Sequence, residues 1–189
     1  MNTPPSPQER SRNRALLLLI MVVFLGTALV AATLRLSGWR PSGNTNHGEL
    51  LQPYGDLRRV TPRLLDGGEY AWAPVDRIWR IAVAPPPGCD APCVDLSRTL
   101  DTVWQLFGHR GERVHTLWIG EPPAGAVRNA SWHVLRDDPE LRAGLPRVDD
   151  PAGVPVYIID PYGFVVLRYA PGFDPAHLRE DMSRLLKLR

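Results

Sequence analysis

The stretch Gly88-Cys89-Asp90-Ala91-Pro92-Cys93 contains both cysteines of this 189-residue chain. The residues before it, Trp79–Ala84, are nearly all apolar, which predicts a strand covered on both faces. The residues after it, from Val94 to about His109, carry apolar side chains at helical spacing and predict a helix. A cysteine pair between a buried strand and a helix N-terminus suits thiol chemistry, because the partial positive charge of the helix end favours the thiolate.

The rest of the C-terminal half predicts alternating strands and helices. Together with the first strand and helix, these segments form a βαβ unit followed by a ββα unit, an order that allows few topologies. The predicted elements are strands at 114–119 and 132–135, a capped helix start at 137–141, a hairpin within 153–169 that turns at 160–163, and a terminal helix from 174 to about 188.

The N-terminal region predicts a membrane anchor. Residues 1–14 are polar, proline-rich and basic, and residues 15–34 run without a charge. At about 1.5 Å rise per residue, a helix over this run is roughly 30 Å long, the thickness of a bilayer core. We therefore expect an uncleaved transmembrane anchor behind a cytoplasmic basic tail. Cleavage near the small residues Ala28, Ala31 and Ala32 is the alternative.

Residues 35–74 are rich in glycine, proline and polar residues, and predict a linker with an irregular N-terminal extension. The folded domain is then expected over residues 75–189. The arginines before the apolar run favour a cytoplasmic N-terminus. We therefore expect the C-terminal domain outside the cytoplasm, in an oxidising compartment where the cysteines can rest as a disulfide; in a bacterium this is an inner-membrane anchor with the domain in the periplasm.

Composition argues against several classes of function. The formal net charge is +2, which makes no electrostatic case for nucleic acid as a partner. The sequence has no phosphate-binding loop, no HExxH motif and no Gly-x-Ser-x-Gly motif, so nucleotide-binding and hydrolase functions lack support.

The cysteine pair after the first strand, together with Gly153-Val154-Pro155 before the hairpin, resembles the thioredoxin fold. The resemblance implies an α/β domain with a central mixed sheet flanked by helices, behind the N-terminal transmembrane helix. It also implies that Pro155 has a cis peptide bond and lies against the cysteines. The three-residue spacing of the cysteines and the stretch Val156–Gly163 are similar to the Sco/SenC family, copper-handling proteins that help to assemble the copper centre of cytochrome c oxidase.

The sequence departs from the Sco pattern at one position. Sco proteins bind copper through the two cysteines and a histidine in the loop before the hairpin, but here Asp150 stands at that place. A carboxylate is a hard donor, whereas Cu(I) prefers thiolate and imidazole. His133 is the best substitute ligand, because it lies in the crossover between the two halves of the predicted domain. The remaining histidines are expected to be ordinary surface or core residues; they are His47, His109, His115 and His177.

Three functions stay open at this point. In the first, a thiol-disulfide oxidoreductase needs no cofactor: Cys89 attacks, Cys93 resolves, and Pro155 keeps the facing backbone free for the partner polypeptide. In the second, Cys89 and Cys93 carry Cu(I). In the third, a permanent disulfide serves a docking or assembly factor. The expected partner is a cytochrome c oxidase subunit or another extracytoplasmic thiol or copper protein.

Overall fold

The computed structural model of the protein describes residues 7–37 and 45–187. The chain divides into two compact units, one within residues 1–44 and the other from residue 45 onward. The start of the predicted basic tail, residues 38–44 of the predicted linker and the predicted helix end at Leu188 therefore lie outside the described residues.

The described part of the first unit contains one helix, α1 (Pro7–Leu36). Its part from Arg12 to Leu36 is long and apolar enough to cross a membrane, by length and composition. The helix extends beyond the predicted span of 15–34 at both ends. Within it, the hydroxyl of Thr27 donates to the carbonyl of Val23 at 3.0 Å, so this polar group is satisfied inside the apolar stretch.

The second unit is built on a six-stranded mixed sheet in the order β1-β6-β5-β2-β3-β4. The pairs β2–β3 and β3–β4 are parallel, and the remaining pairs are antiparallel. The strands are β1 (Glu49–Asp56), β2 (Trp79–Val83), β3 (Val114–Ile119), β4 (Trp132–Leu135), β5 (Val156–Ile159) and β6 (Phe164–Tyr169). The helices are α2 (Ala91–Gln105), α3 (Pro139–Ala143) and α4 (Pro175–Leu185), with 3₁₀ turns at Pro74–Asp76 and Gly108–Arg113.

Helix starts follow the capping residues that the sequence predicts. Asp138 and Asp174 each accept a hydrogen bond at 2.8 Å from the main-chain N–H two residues later, at the starts of α3 and α4. Helix α2 begins at Ala91, three residues before the predicted start at Val94. Cys93 therefore lies inside the first turn of α2 and not ahead of it.

The sequence predicts an irregular extension within residues 35–74. This prediction is wrong for residues 49–56, which form strand β1. This strand pairs with β6, with Glu49 opposite Arg168 and Asp56 opposite Phe164. Pro53 and Gly55 interrupt the alternation of apolar and polar residues that marks a strand in sequence. An edge strand tolerates both residues, and the pairing register shifts between Leu50 and Gly55.

The sheet separates two apolar layers. We call the layer that contains Ile81, Val83 and Cys93 the cysteine layer; it is covered by α2 and α4. The opposite layer contains Ala82 and Leu117 and is covered by the chain segments around Tyr70 and α3. Successive strand residues alternate between the two layers, so neighbours in sequence serve different faces.

Candidate functional site

The two cysteines form a disulfide at the end of β2, with their Cα atoms 5.7 Å apart. A proline run carries the chain away from the sheet to Gly88, whose φ of 77° makes the turn toward Cys89. The main-chain N–H of Cys93 donates to the carbonyl of Asp90 at 3.0 Å, within the first turn of α2. The disulfide thus lies at a helix N-terminus, where a thiolate formed on reduction is stabilised.

The two sulfurs differ in accessibility. Cys93 is fully buried in the cysteine layer, whereas Cys89 is half-buried and packs against the edge of that layer. A reagent or partner approaching from solvent therefore reaches Cys89 before Cys93. This asymmetry is what a two-step thiol exchange requires.

An open groove adjoins the first turn of α2. Its volume is about 280 Å³. One wall is α2, and the other is formed by the loop before β5 and the loop after β6. The apolar residues that line it are Pro92, Leu96, Val154, Pro171, Phe173 and Pro175.

Pro155 is buried at the entry to β5, and its peptide bond is trans; among the described residues the cis bond is Gln52–Pro53. The expectation of a cis Pro155 is therefore wrong. X–Pro bonds are trans unless the local turn demands otherwise. Here Gly153, with φ of 136°, redirects the chain, and a Cβ at this residue would lie 3.3 Å from the ring of Pro171. The adjacent Val154 packs against the cysteine layer.

The carboxylate of Asp150 forms an ion pair with Arg168. Its carboxylate accepts hydrogen bonds from the guanidinium of Arg168 and, at 3.0 Å, from the main-chain N–H of Ala152. The side chain of Arg168 is only 4% exposed. The Ala152 N–H and the Arg168 charge hold the pKa of Asp150 below its usual value. This carboxylate therefore neutralises a buried cation in place of binding a metal.

His133 lies on the wrong face of the sheet to join the cysteines. Its ring centroid is 4.4 Å from that of His115 and 5.2 Å from that of Tyr70, a residue of the opposite layer. The sheet therefore stands between His133 and Cys93, and the assignment of His133 as a third copper ligand is wrong. Within residues 7–37 and 45–187, no three side chains of the His, Cys, Asp or Glu types gather into a metal site.

A buried chain of polar side chains, which the sequence did not predict, lies in the opposite layer. Arg80 of β2 is fully buried and donates through Nε to the hydroxyl of Tyr70 at 2.9 Å. That hydroxyl lies 2.8 Å from Nδ1 of His115, so it donates to the neutral imidazole. Burial, together with the nearby His133 and Arg80, lowers the pKa of His115 to about 4. In the sequence, the one sign of this hydrogen-bonded set of side chains was Arg80, a charged residue inside an otherwise apolar strand.

Most of the second unit matches the model of a known protein family. A family model described as "Transmembrane-like, thioredoxin-like, C-terminal domain" matches residues 79–189. The chain belongs to this family. The matched range runs from β2 to the C-terminus, so in this transmembrane-like, thioredoxin-like protein β1 lies ahead of the family match.

Solved structures agree on the fold. BsSco, a member of the Sco family of cytochrome c oxidase assembly proteins in which a disulfide switch was identified, is 11% identical, with a TM-score of 0.53 over 75% of this chain and 98% of BsSco. Yeast Sco1 with copper bound is 17% identical, with a TM-score of 0.51 over 80% and 96% of the two chains. A SCO1/SenC family lipoprotein from Bacillus anthracis is 14% identical, with a TM-score of 0.50 over 70% and 95%.

No curated protein matches the sequence. At identities below 20%, the structural likeness shows the fold, and it confirms the prediction of a Sco-like thioredoxin fold with a mixed sheet.

Proposed function

We propose that this transmembrane-like, thioredoxin-like protein is a membrane-anchored dithiol protein that acts outside the cytoplasm by thiol-disulfide exchange, in the assembly of the copper centre of cytochrome c oxidase. The supporting observation is the unequal exposure of the two sulfurs: half-buried Cys89 is joined to fully buried Cys93 at the start of α2. The apolar helix α1 supports the membrane setting, and the Sco-like fold supports the oxidase context.

The exchange proceeds in two balanced steps. The thiolate of reduced Cys89 attacks one sulfur of a partner disulfide, forming a mixed disulfide and releasing the partner's other sulfur as a thiolate. The thiolate of Cys93 then attacks Cys89, which re-forms the intramolecular disulfide and releases the second partner thiolate. Two electrons pass to the partner. Pro155 positions the facing loop without adding a main-chain donor, and an extracytoplasmic dithiol donor regenerates the reduced pair.

A second function, delivery of Cu(I), uses the same two sulfurs. Two thiolates are soft ligands that can hold Cu(I) without a third donor. The three-ligand site of the Sco pattern does not fit this chain, because Asp150 binds Arg168 and His133 lies across the sheet. Copper, if carried, is cargo on Cys89 and Cys93.

One set of measurements on the full-length chain in detergent separates these functions from a structural disulfide. The reduced protein is titrated with Cu(I) against a competing chelator, and its dithiol potential is measured on the same sample, beside the Cys89→Ser variant. A readily cycled potential, between about −270 and −120 mV, without tight copper binding supports exchange. Stoichiometric Cu(I) binding that Cys89→Ser abolishes supports delivery instead. A potential below about −300 mV identifies a structural disulfide and overturns both.

A further inference from the structure

His115 and His133 lie side by side on the face of the sheet opposite the disulfide. Strands β3 and β4 are parallel, with Leu117 opposite His133. His115 is two residues before Leu117, a residue of the opposite layer, so it lies on the same face as the diagonal neighbour of His133. The ring centroids of the two histidines are 4.4 Å apart, and both side chains are half-buried. The exchange chemistry at the cysteines makes no use of this pair.

The distance between the two rings suits two ligands of one metal ion. Imidazole nitrogens bind Zn(II) at about 2.0–2.1 Å. Two imidazoles bound at this distance have ring centroids roughly 4.5 Å apart when they meet the ion at a right angle, and roughly 5.2 Å apart in tetrahedral geometry. The ring planes of His115 and His133 are tilted by 45°, so they intersect. One ion can therefore lie in both ring planes, which contain the nitrogen lone pairs.

A second histidine pair lacks this geometry. His47 and His177 are stacked, with ring centroids 4.0 Å apart and an angle of 3° between the ring planes. Because the lone pairs of imidazole nitrogens lie in the ring plane, those of two parallel rings do not meet at one ion. Nε2 of His47 also lies 3.1 Å from a carboxylate oxygen of Glu180. The stacked pair is therefore a natural control for His115 and His133.

Both rings of the tilted pair have a nitrogen available for a metal ion. Nδ1 of His115 is hydrogen-bonded to the hydroxyl of Tyr70, which leaves Nε2 for a ligand. Among the residues that the structure describes, none forms a hydrogen bond with the ring of His133. Burial lowers the pKa of both histidines, so both are neutral at pH 7. The neutral imidazole is the form that binds metal ions.

Tyr70 holds the ring of His115 in one orientation. Its hydroxyl accepts a hydrogen bond from Nε of the buried Arg80 at 2.9 Å. When an ion occupies Nε2 of His115, the ring proton is on Nδ1 and donates to the Tyr70 oxygen, which reverses the existing hydrogen bond. A metal-binding histidine whose second nitrogen donates in this way is fixed in tautomer and orientation. Tyr70 is therefore a positioning residue for this pair.

An open cavity gives an ion access to His133. Its volume is about 550 Å³, and Asp66 and Arg128 line it beside His133. The carboxylate of Asp66 favours a cation at His133, whereas the charge of Arg80 acts against a cation at both histidines. The guanidinium of Arg80 is itself engaged by the Tyr70 hydroxyl and by main-chain carbonyls. An ion at this place is thus held by coordination to nitrogen more than by charge.

We propose that His115 and His133 form a binding site for one divalent transition-metal ion, on the face of the sheet opposite the disulfide. Imidazole ligands suit Cu(II), Ni(II) and Zn(II), and among these ions Cu(II) binds nitrogen ligands most tightly. Water completes the coordination from the cavity, so the ion keeps positions open to a further ligand. The site uses neither cysteine and does not rest on the proposed exchange function.

The test titrates the oxidised full-length chain in detergent with Cu(II), Zn(II) or Mg(II) alone. The intact disulfide removes the thiolates as competing ligands. Calorimetry follows binding, and pulsed electron paramagnetic resonance counts the imidazole nitrogens on bound Cu(II). His133→Gln and His115→Gln each remove one ligand, and Tyr70→Phe removes the positioning hydrogen bond. His177→Gln, in the stacked pair, is the matched control.

We expect one Cu(II) per wild-type chain, bound by two imidazole nitrogens, and binding of Zn(II) that is about tenfold weaker or more. Mg(II), which takes oxygen ligands, should not bind. His133→Gln and His115→Gln should each weaken Cu(II) binding at least about tenfold, and Tyr70→Phe roughly tenfold. His177→Gln should leave it unchanged. Because the described residues make no hydrogen bond to the ring of His133, metal-free His133→Gln should keep the wild-type Tm, which shows that it is folded.

A wild-type chain that binds no Cu(II) would overturn the inference, and so would a His133→Gln variant that binds it as tightly as wild type. Loss of binding in His177→Gln alone would assign the ion to the stacked pair and overturn the inference as well. Equal binding by Tyr70→Phe and wild type would remove Tyr70 from the positioning role. None of these results bears on thiol exchange at the cysteines.

Discussion

Asp150 binds Arg168, a residue of β6 whose side chain is 4% exposed. A second carboxylate, that of Glu49, lies 3.9 Å from the same guanidinium. The loop before β5 is therefore held to the sheet by a buried cation. Asp150 therefore has a structural role in this chain, which is to neutralise Arg168.

Replacing Asp150 should destabilise the domain. Asp150→Ala leaves the buried Arg168 with only the distant Glu49 carboxylate, so we expect Tm to fall by several degrees. Asp150→Asn keeps a hydrogen-bond acceptor and should lose less. Because the pKa of Asp150 is lowered, its contribution is lost as the pH falls through that folded-state pKa, and wild type and Asp150→Asn should then converge. Thermal unfolding across pH checks this, and equal Tm values at pH 7 would contradict it.

Mild acid should destabilise the protein through His115. Its folded-state pKa is about 4, against an ordinary value of 6.5, so the unfolded chain takes up the proton first. The contribution of neutral His115 to the free energy of unfolding is complete above pH 6.5 and is lost as the pH falls toward 4. Allowing for partial exposure, we expect a loss on the order of 1–2 kcal/mol. Urea unfolding at pH 7.5 and 4.5 measures it. His115→Gln should flatten the dependence, and His109→Gln, at an exposed site, should not.

The two single-cysteine variants should differ in thiol reactivity. Cys93→Ser leaves the half-buried Cys89, and Cys89→Ser leaves the fully buried Cys93. Because access limits thiolate attack, Cys93→Ser should be alkylated by iodoacetamide roughly tenfold faster or more. It should also accumulate mixed disulfides that the intact pair would resolve. Faster alkylation of Cys89→Ser would reverse the roles assigned to the two residues.

Gly55 should tolerate no side chain. A Cβ there would lie 2.2 Å from the main-chain oxygen of Gly144, and a backbone atom in a packed turn cannot move aside. We expect Gly55→Ala to cost about 1–3 kcal/mol of unfolding free energy. Gly68→Ala is the matched control, because Gly68 is exposed and its Cβ would meet only the side chain of Leu64, at 3.3 Å, and Asp66, at 4.0 Å. Equal losses in urea unfolding would contradict this account.

The elements that could be predicted from sequence are those with a strong local signal. The strand Val114–Ile119 and the hairpin around Asp160 have apolar runs bounded by turn residues, and the structure has them at the predicted places. The starts of α3 and α4 could be predicted for the same reason, because Asp138 and Asp174 each accept a hydrogen bond from a main-chain N–H two residues later.

The features that sequence missed depend on contacts between distant residues. Strand β1 forms because β6 offers an edge, and nothing in the order of residues 49–56 shows that edge. The face on which His133 lies depends on the register of β4 against β3. The peptide bond of Pro155 is trans, and the family resemblance, from which a cis bond was expected, carries no information on the local backbone of this chain. The polar chain from Arg80 to His115 joins three separate segments of the chain.

The pairing of β1 with β6 has a consequence for biosynthesis. Glu49 is made early and can find its partner Arg168 only after nearly the whole domain has been synthesised. Strand β1 is also the first strand of the second unit to be made, so it must wait unpaired while the rest of the domain is synthesised. Closure of the sheet is then a late folding event.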